Sequence, residues 1–300
     1  MTDAFSDVLH FIRLKSCVYF VRDFWSPFAM QLDGNVVAQF HAVLRGNCVI
    51  EANGKQYQGA PGDVFLFPQC DPHVIADAPG RDAVSGPQFM ESLGTDAPLF
   101  AEGESPTQLL CGHYEYRGDI RHPLIDELAP VIHVRAGDLF ATDTMHAVIP
   151  TLTRELANPG PGSTAVVENL AEILLIQTVR AHVEQERIQV GVMAGLLDRR
   201  LARAFQLVHA NYQHPLTLDD LGAAAGMSRS AFALRFKTVV GMTPIAYLAL
   251  WRMCSAHDLL TFEGLTVAET AIRVGYESDI AFSRAFKRHF DKNPGAVRRG

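Results

Sequence analysis

Between residues 36 and 73 apolar positions come in short runs divided by turn residues: Val36–Val43, Asn47–Glu51 and Asp63–Phe67. Runs of that length bounded by Gly, Asn and Pro predict strands. Asn53-Gly54 predicts a tight hairpin, because both residues accept positive φ. A further strand is expected at Gln108–Arg117, whereas Asp77–Pro106, dense in Gly, Pro, Ser and Asp, reads as a loop. Closely spaced strands of this kind fit a β-sandwich or jelly-roll barrel.

Beyond Arg121 the apolar spacing lengthens to three and four residues, interrupted by the turn sequence Asn158–Gly162. Ser163 then stands where a cap is wanted for a long helix whose stripe is Val166, Val167, Leu170, Ile173, Leu174, Val179 and Val183. Such a stripe packs either on its own barrel or on the same helix of a second subunit, and spacing alone does not separate the two. A homodimer is the expectation carried forward.

The last hundred residues contain a duplication. Leu218, Leu221, Ala225, Gly226, Ser228, Phe232, Phe236, Lys237 and Pro244 form one copy; Val267, Ala271, Gly275, Ser278, Phe282, Phe286, Lys287 and Pro294 form the other, with the two Phe, the Lys and the Pro each 50 positions later. Each copy reads as helix, tight turn, helix. Gly226 and Gly275 allow a left-handed turn, and Ser228 and Ser278 stand at N-cap positions. Two Phe four residues apart bury one face of the second helix and leave the other outward, where a major groove would be read. The outward residues are Arg229, Ser230, Ala233 and Leu234 with Lys237 on the flank, then Asp279, Ile280, Ser283 and Arg284 with Lys287 and Arg288 on the flank. Arg284 is the candidate for a bidentate contact to guanine. Ile245–Leu260 between the copies predicts one continuous helix, a rigid spacer for modules about 34 Å apart, one turn of DNA. An ordinary helical bundle explains the Phe pairs but not the repeated caps, turn glycines and basic flanks.

Charge divides along the same line. The chain is net −7, yet residues 198–300 hold 14 Lys and Arg against 9 Asp and Glu, a net +5, leaving −12 in the residues before. A basic module joined to an acidic one is expected when only one part meets phosphates. Three hundred residues at 48% hydrophobic suit two ordinary domains, each with its own core. No apolar run approaches the roughly 20 residues of a membrane span, and residues 1–14 lack a signal-peptide pattern, so a cytoplasmic protein without membrane association is expected. Five widely spaced cysteines, none in a Cys-x-x-Cys pair, suggest neither a zinc ribbon nor a disulfide framework.

With Ala225–Ser230, Tyr247-Leu248-x-x-Trp251-Arg252-Met253, Val274–Ser278 and Phe282–Lys287 in view, residues 198–298 resemble the AraC/XylS family of transcription regulators. The N-terminal part is similar to the cupin sensor domain of one branch of that family, which includes regulators responding to reactive chlorine species. That similarity rests on Phe40-His41-Ala42-Val43-x-x-Gly46, on Pro61-Gly62-Asp63-Val64-x-Leu66-x-Pro68-x-x-x-x-His73, and on Cys111-Gly112. There are departures: Leu234 stands where many relatives carry a polar residue, and Asp279 and Ile280 replace commoner polar choices.

The expected fold is α+β and multidomain: a cupin-like jelly-roll barrel over 1–122, a helical linker and dimerisation region over 123–195, and an all-α double helix-turn-helix domain over 196–300. The resemblance implies a DNA-binding regulator, an activator in most of the family, with promoter DNA and RNA polymerase as partners and a small molecule or oxidant as effector. It also implies a redox role for Cys17 and Cys111, against which stands the plain reading of cysteine as a small core residue. His41 and His73, joined by Glu51 or His113, are candidate metal ligands, but a set of this size is incomplete and hydrogen-bonded core histidines are the simpler reading. No cofactor is expected and no enzyme activity; the alternative is a cupin metalloenzyme with an appended DNA-binding domain.

Overall fold

The computed structural model describes residues 3–12, 15–33, 38–115, 123–137, 143–186 and 188–298. Val36, Val37, Arg117 and Arg121, which belong to the expectations above, lie outside them. The chain opens with helix α1 (Ala4–Ile12) and strands β1 (Lys15–Ser26), β2 (Ala29–Leu32), β3 (Ala38–Arg45), β4 (Cys48–Ala52), β5 (Lys55–Gly59), β6 (Val64–Phe67), β7 (His73–Ala76) and β8 (Val84–Ser85). Helix α2 (Gly86–Ser92), β9 (Glu104–Glu115), α3 (Pro123–Asp126), β10 (Ile132–Val134), α4 (Asp143–Ala157) and α5 (Ser163–Glu186) follow. The tail is helical: α6 (Val192–Leu197), α7 (Leu201–Asn211), α8 (Leu218–Ala224), α9 (Arg229–Val240), α10 (Pro244–Thr261), α11 (Val267–Arg273), α12 (Asp279–Phe290) and α13 (Pro294–Val297).

These elements form two compact units. One holds the described residues of 14–116 and 128–187, the other those of 1–13, 117–127 and 188–300. The first is two five-stranded sheets, in the orders β1-β9-β3-β6-β10 and β5-β4-β7-β2-β8, antiparallel except where β8 runs beside β2. Their inner faces bury an aromatic core that includes Phe24, Phe28, Phe65, Phe67 and Phe89 with Ile50, Ile75 and Leu109. The β4–β5 hairpin turns at Asn53 (φ 51°) and Gly54 (φ 71°), both in the positive region that Asn-Gly supplies.

Several elements depart from expectation. Residues 77–106 hold β8 and α2 rather than a bare loop: the Ser85 hydroxyl caps the helix by accepting from Gln88 N (3.3 Å), Pro87 starts it, and Phe89 stacks on Phe24 at 5.1 Å. A short helix with a polar outer face needs few apolar residues, so its one anchor was inconspicuous. Strand β9 begins at Glu104, before Gln108, and β10 pairs with β6 in a stretch where only helical spacing was legible. Ser163 does not cap α5; it is the helix's first residue, and its hydroxyl meets Gly160 N and the Glu155 carboxylate. α5 packs on β1, β10 and α4. Leu174, Val179 and Val183 of the expected stripe are buried there, whereas Val166 and Ile173 stay exposed.

The second unit gathers α1, α3 and α6–α13. Ala4, Phe5 and Val8 form one buried face of α1, which packs on α6 and α7. The contiguous division expected at residue 122 places this helix with the barrel, but its apolar face is covered by helices of the tail. Asp7 Oδ2 meets His209 Nδ1 at 3.3 Å, while His209 Nε2 lies 2.8 Å from the Tyr247 hydroxyl and its ring stacks on Trp251 at 3.8 Å. Among the described residues no single helix is long and apolar enough to cross a membrane.

Candidate nucleic-acid interface

The duplicated segment folds twice in the same way. In the first copy Thr217 and Asp220 close a capping box at the start of α8; in the second Thr266 and Glu269 do the same for α11. Each box satisfies two amide groups that a helix start leaves without partners. The chain then turns at Gly226 (φ 65°) and Gly275 (φ 81°) into α9 and α12. Ser278 caps α12 through Ala281 N (3.2 Å); Ser228 has the matching extended backbone but makes no side-chain cap bond. Phe232 and Phe236, and likewise Phe282 and Phe286, lie fully buried with their rings 5.6 Å apart in both copies. Four buried Phe each worth about 1.5–3 kcal/mol hold the two outward faces in place.

Those outward faces match position by position. Ser230, Ala233, Leu234 and Lys237 follow the i, i+3, i+4, i+7 stripe of α9, and Ile280, Ser283, Arg284 and Lys287 that of α12. Ala233 and Ser283 are half-buried beside the Phe pairs, and the other residues of the two stripes are exposed. Leu234 is 71% and Ile280 63% exposed, large apolar side chains held in solvent. Arg229 meets Asp219 at 3.4 Å on the surface, so its charge is shared before any partner arrives. Asp279 stands in the first turn of α12, and Lys287 and Arg288 in the last. Arg235, absent from the expected set, is tied to Asp198 and joins α9 to the start of α7.

The spacer is α10, 18 residues long, or about 27 Å. It touches α7, α8 and α9 on one side of the repeat and α11, α12 and α13 on the other. Arg252 at its middle donates from Nε to the Tyr212 carbonyl (2.6 Å) and from an Nη to the His214 carbonyl (2.8 Å), with its guanidinium 5.9 Å from the Tyr276 ring centre. Gly275 packs against the same point: a Cβ there would stand 2.5 Å from the Gln213 carbonyl oxygen. One arginine thus fastens the chain before the first module to the turn of the second.

In the strand-rich unit, His41 and His73 meet, but not as a metal set. His41 Nε2 lies 2.9 Å from His73 Nε2, His41 Nδ1 lies 3.1 Å from Cys111 Sγ, and His73 Nδ1 lies 2.8 Å from the Asp71 carbonyl. One direction of donation satisfies all three: Cys111 S–H to His41, His41 Nε2–H to His73, His73 Nδ1–H to Asp71. Both nitrogens of both rings are committed. Burial holds His41 well below the ordinary histidine range, with His73 adding to the effect, lowers His73 to about 4, and pushes the Cys111 thiol up. The chain of groups is neutral. Glu51 accepts from Gln56 and Gly80, and His113 pairs with Glu115 at 3.1 Å, so neither joins His41; among the described residues no three His, Cys, Asp or Glu side chains gather as a metal site.

Cys17 and Cys111 lie on neighbouring strands, β1 and β9, but differ in surroundings: Cys17 is exposed and Cys111 buried. Cys17 is opposite His113, so Cys111 is its diagonal neighbour. Diagonal pairs stand about 7–8 Å apart at Cα, slightly beyond the usual disulfide span. Cys48, Cys70 and Cys254 are buried.

Comparison with known proteins resolves the family. Residues 3–184 match the cupin family and 221–300 a helix-turn-helix domain. A putative AraC-like transcription regulator of Streptomyces antibioticus is 31% identical over 301 residues, 99% of this chain and 98% of that one. This chain belongs to the AraC family of transcription regulators. The AraC-type regulator has a helix-turn-helix DNA-binding domain and a strand-rich cupin domain, an α+β chain of the class the pattern predicts, and it binds DNA. Similar at 28% identity are the HTH-type transcriptional regulator AlkR of Acinetobacter baylyi, over 97% of both chains, and the RCS-specific HTH-type transcriptional activator RclR of Escherichia coli, over 87% of this chain and 84% of that one. All three relatives are named regulators, which supports a regulator over the metalloenzyme alternative.

Residues that the sequence reading of this AraC-type regulator passed over include Thr217, Asp220, Thr266 and Glu269, although Thr-x-x-Asp and Thr-x-x-Glu ahead of apolar residues are legible box signatures. The contacts of Arg252, by contrast, carry no local signal, since its partners, the Tyr212 and His214 carbonyls, are distant in sequence.

Proposed function

We propose that this AraC-type regulator is a cytoplasmic, homodimeric activator that reads promoter DNA with both helix-turn-helix modules and passes a signal from its cupin domain to RNA polymerase. The observation that carries the reading is the pair of matched outward stripes on α9 and α12, 50 residues apart, on helices fixed by identical Phe pairs. In this reading Arg284 takes guanine through two parallel hydrogen bonds and Ser230 and Ser283 contact base edges, while Ala233, Leu234 and Ile280 meet thymine methyl groups. Arg229, Lys237, Lys287 and Arg288 neutralise phosphates, and Asp279 stands at the other end of α12 from Lys287 and Arg288. Selection of DNA fragments by the full-length protein tests it. A recovered motif that Arg284→Ala relaxes at one position supports the reading, and recovery of random sequence opposes it.

A second reading of the signal, an oxidant acting at Cys17 and Cys111, is favoured by their diagonal placement on adjacent strands and by the likeness to RclR, which is named RCS-specific. Burial of Cys111 and its donation to His41 oppose a resting thiolate. Promoter binding before and after mild oxidant, in the native chain and in Cys17→Ser and Cys111→Ser, tests it: a change abolished by either substitution supports thiol sensing, and six identical curves remove it.

A further inference from the structure

A cavity of about 210 Å3 opens in the sensor unit between β1, β2, β3, β9 and α2. Its wall is mostly apolar, with Phe20, Met30, Leu32 and Met90 among the lining residues. Three polar side chains interrupt it beyond the Tyr19 ring and Asp33: Gln39, His41 and Cys111. Two of these are spoken for, because Cys111 donates to His41 and His41 to His73. Gln39 is not. Its Oε1 is buried and has no hydrogen-bond partner among the described residues, on a residue only 4% exposed. Gln39 and His41, two apart on β3, share the strand face that turns to the cavity. Across the β3–β9 ladder from Gln39 stands His113, whose buried Nδ1 also lacks a partner while its Nε2 is held by Glu115. A donor at Nε2 leaves Nδ1 as an acceptor. Among the described residues, two buried polar atoms, Gln39 Oε1 and His113 Nδ1, thus stand on paired strands without a hydrogen-bond partner.

We propose that this cavity binds an uncharged small molecule with an apolar body and a hydroxyl or N–H group that donates to Gln39. The inference deepens the signal-receiving role proposed for the cupin domain and rests on it for its regulatory meaning, but not for binding itself. Size follows from volume: a dry cavity of about 150 Å3 takes benzene, so this one takes a single ring with a short polar arm, or a chain of comparable bulk. Neutrality follows from the lining. The His41–His73 chain is satisfied in its uncharged form, and among the described residues no Lys or Arg lines the cavity and Asp33 is the one carboxylate. A carboxylate ligand would be buried without a counter-charge, which is costly. The donor requirement follows from Gln39, since leaving a buried amide oxygen unanswered costs more than an average hydrogen bond gains.

The test uses the full chain and defined probes: benzyl alcohol and benzamide as neutral donors, toluene as the donorless analogue, benzoate as the anion. Binding is read by calorimetry without DNA, and DNA affinity is measured separately with and without benzyl alcohol. The expected order is benzyl alcohol and benzamide at least about fivefold tighter than toluene, and benzoate weakest. Gln39→Leu is expected to bring benzyl alcohol and toluene to within about twofold of each other. Met90→Trp, at an exposed position on α2 that lines the cavity, is expected to weaken every probe without disturbing the fold. If no neutral probe binds, or if Gln39→Leu leaves the preference for donors unchanged, the orphan oxygen is answered by water alone and the proposal falls. Binding of benzyl alcohol without any change in DNA affinity upholds the site and instead removes the signal-receiving role from it.

Discussion

The carbonyl oxygen of Tyr212 accepts a 2.6 Å hydrogen bond from Arg252 Nε, forty residues further along the chain. With the parallel bond to His214, it fixes the chain entering the first module against the spacer helix from which the second departs. Hydrogen bonds from a charged donor contribute about 1.5–3 kcal/mol each. The His214 bond is exposed and contributes less, so Arg252→Ala is expected to lower the stability of the tail unit by about 2–4 kcal/mol. It should also weaken binding to a two-groove site more than to a single half-site, because it loosens the spacing and not the reading face. Calorimetric unfolding with gel-shift titration on both DNAs checks this; equal loss on both would assign Arg252 to folding alone.

The two turn glycines should not respond alike. Gly226 has open space where a Cβ would go, so Gly226→Ala meets only the left-handed backbone penalty of about 1–2 kcal/mol. A Cβ at Gly275 adds a collision with the Gln213 carbonyl at 2.5 Å, and Gly275→Ala should cost at least about 2 kcal/mol more than its counterpart. Chemical denaturation of the two variants side by side measures the difference.

Much of the tail was legible because its signals are local. A left-handed glycine, a cap and a Phe pair each act within one or two helical turns, and their repetition 50 residues later separates them from chance. The cupin unit was less legible. Strand β1 carries register shifts between Val18 and Phe20 and between Phe24 and Ser26, which break the two-residue alternation that marks a strand. Helix α1 has an apolar face, Ala4, Phe5 and Val8, but nothing in its sequence says that the tail covers it. Gln39 stands in a strand that reads as uniformly buried, and only the cavity beside it shows that its amide oxygen lacks a partner.

Acid should loosen the cupin unit around His73. Unfolded, His73 takes up its proton near pH 6.5; folded among Phe67, His41 and the Asp71 carbonyl, only near about 4. Between these values the unfolded chain binds the extra proton, so this contribution is complete above about pH 6.5 and fades as pH falls toward about 4. Hydrogen exchange at the β3 and β7 amides should lose protection across that window, and His73→Gln should flatten the dependence. An unchanged pH profile in the variant would contradict the assignment.

Charge on the reading helices should act in two distinct ways. Lys287→Ala is expected to weaken binding to all sequences alike and to reduce the slope of log affinity against log salt by about 1. Arg284→Ala is expected to cost about 1–3 kcal/mol and to relax preference at one base pair. Salt titrations on the preferred and a scrambled site distinguish them.

The most direct test of the twin-module account is hydroxyl-radical and methylation-protection footprinting of the full-length regulator on its selected site. Two protected major-groove segments are expected on one face of the duplex, about 10 base pairs apart at their centres, with Arg284→Ala exposing a guanine in only one of them. Protection of a single groove, unchanged by substitutions on α9, would contradict it.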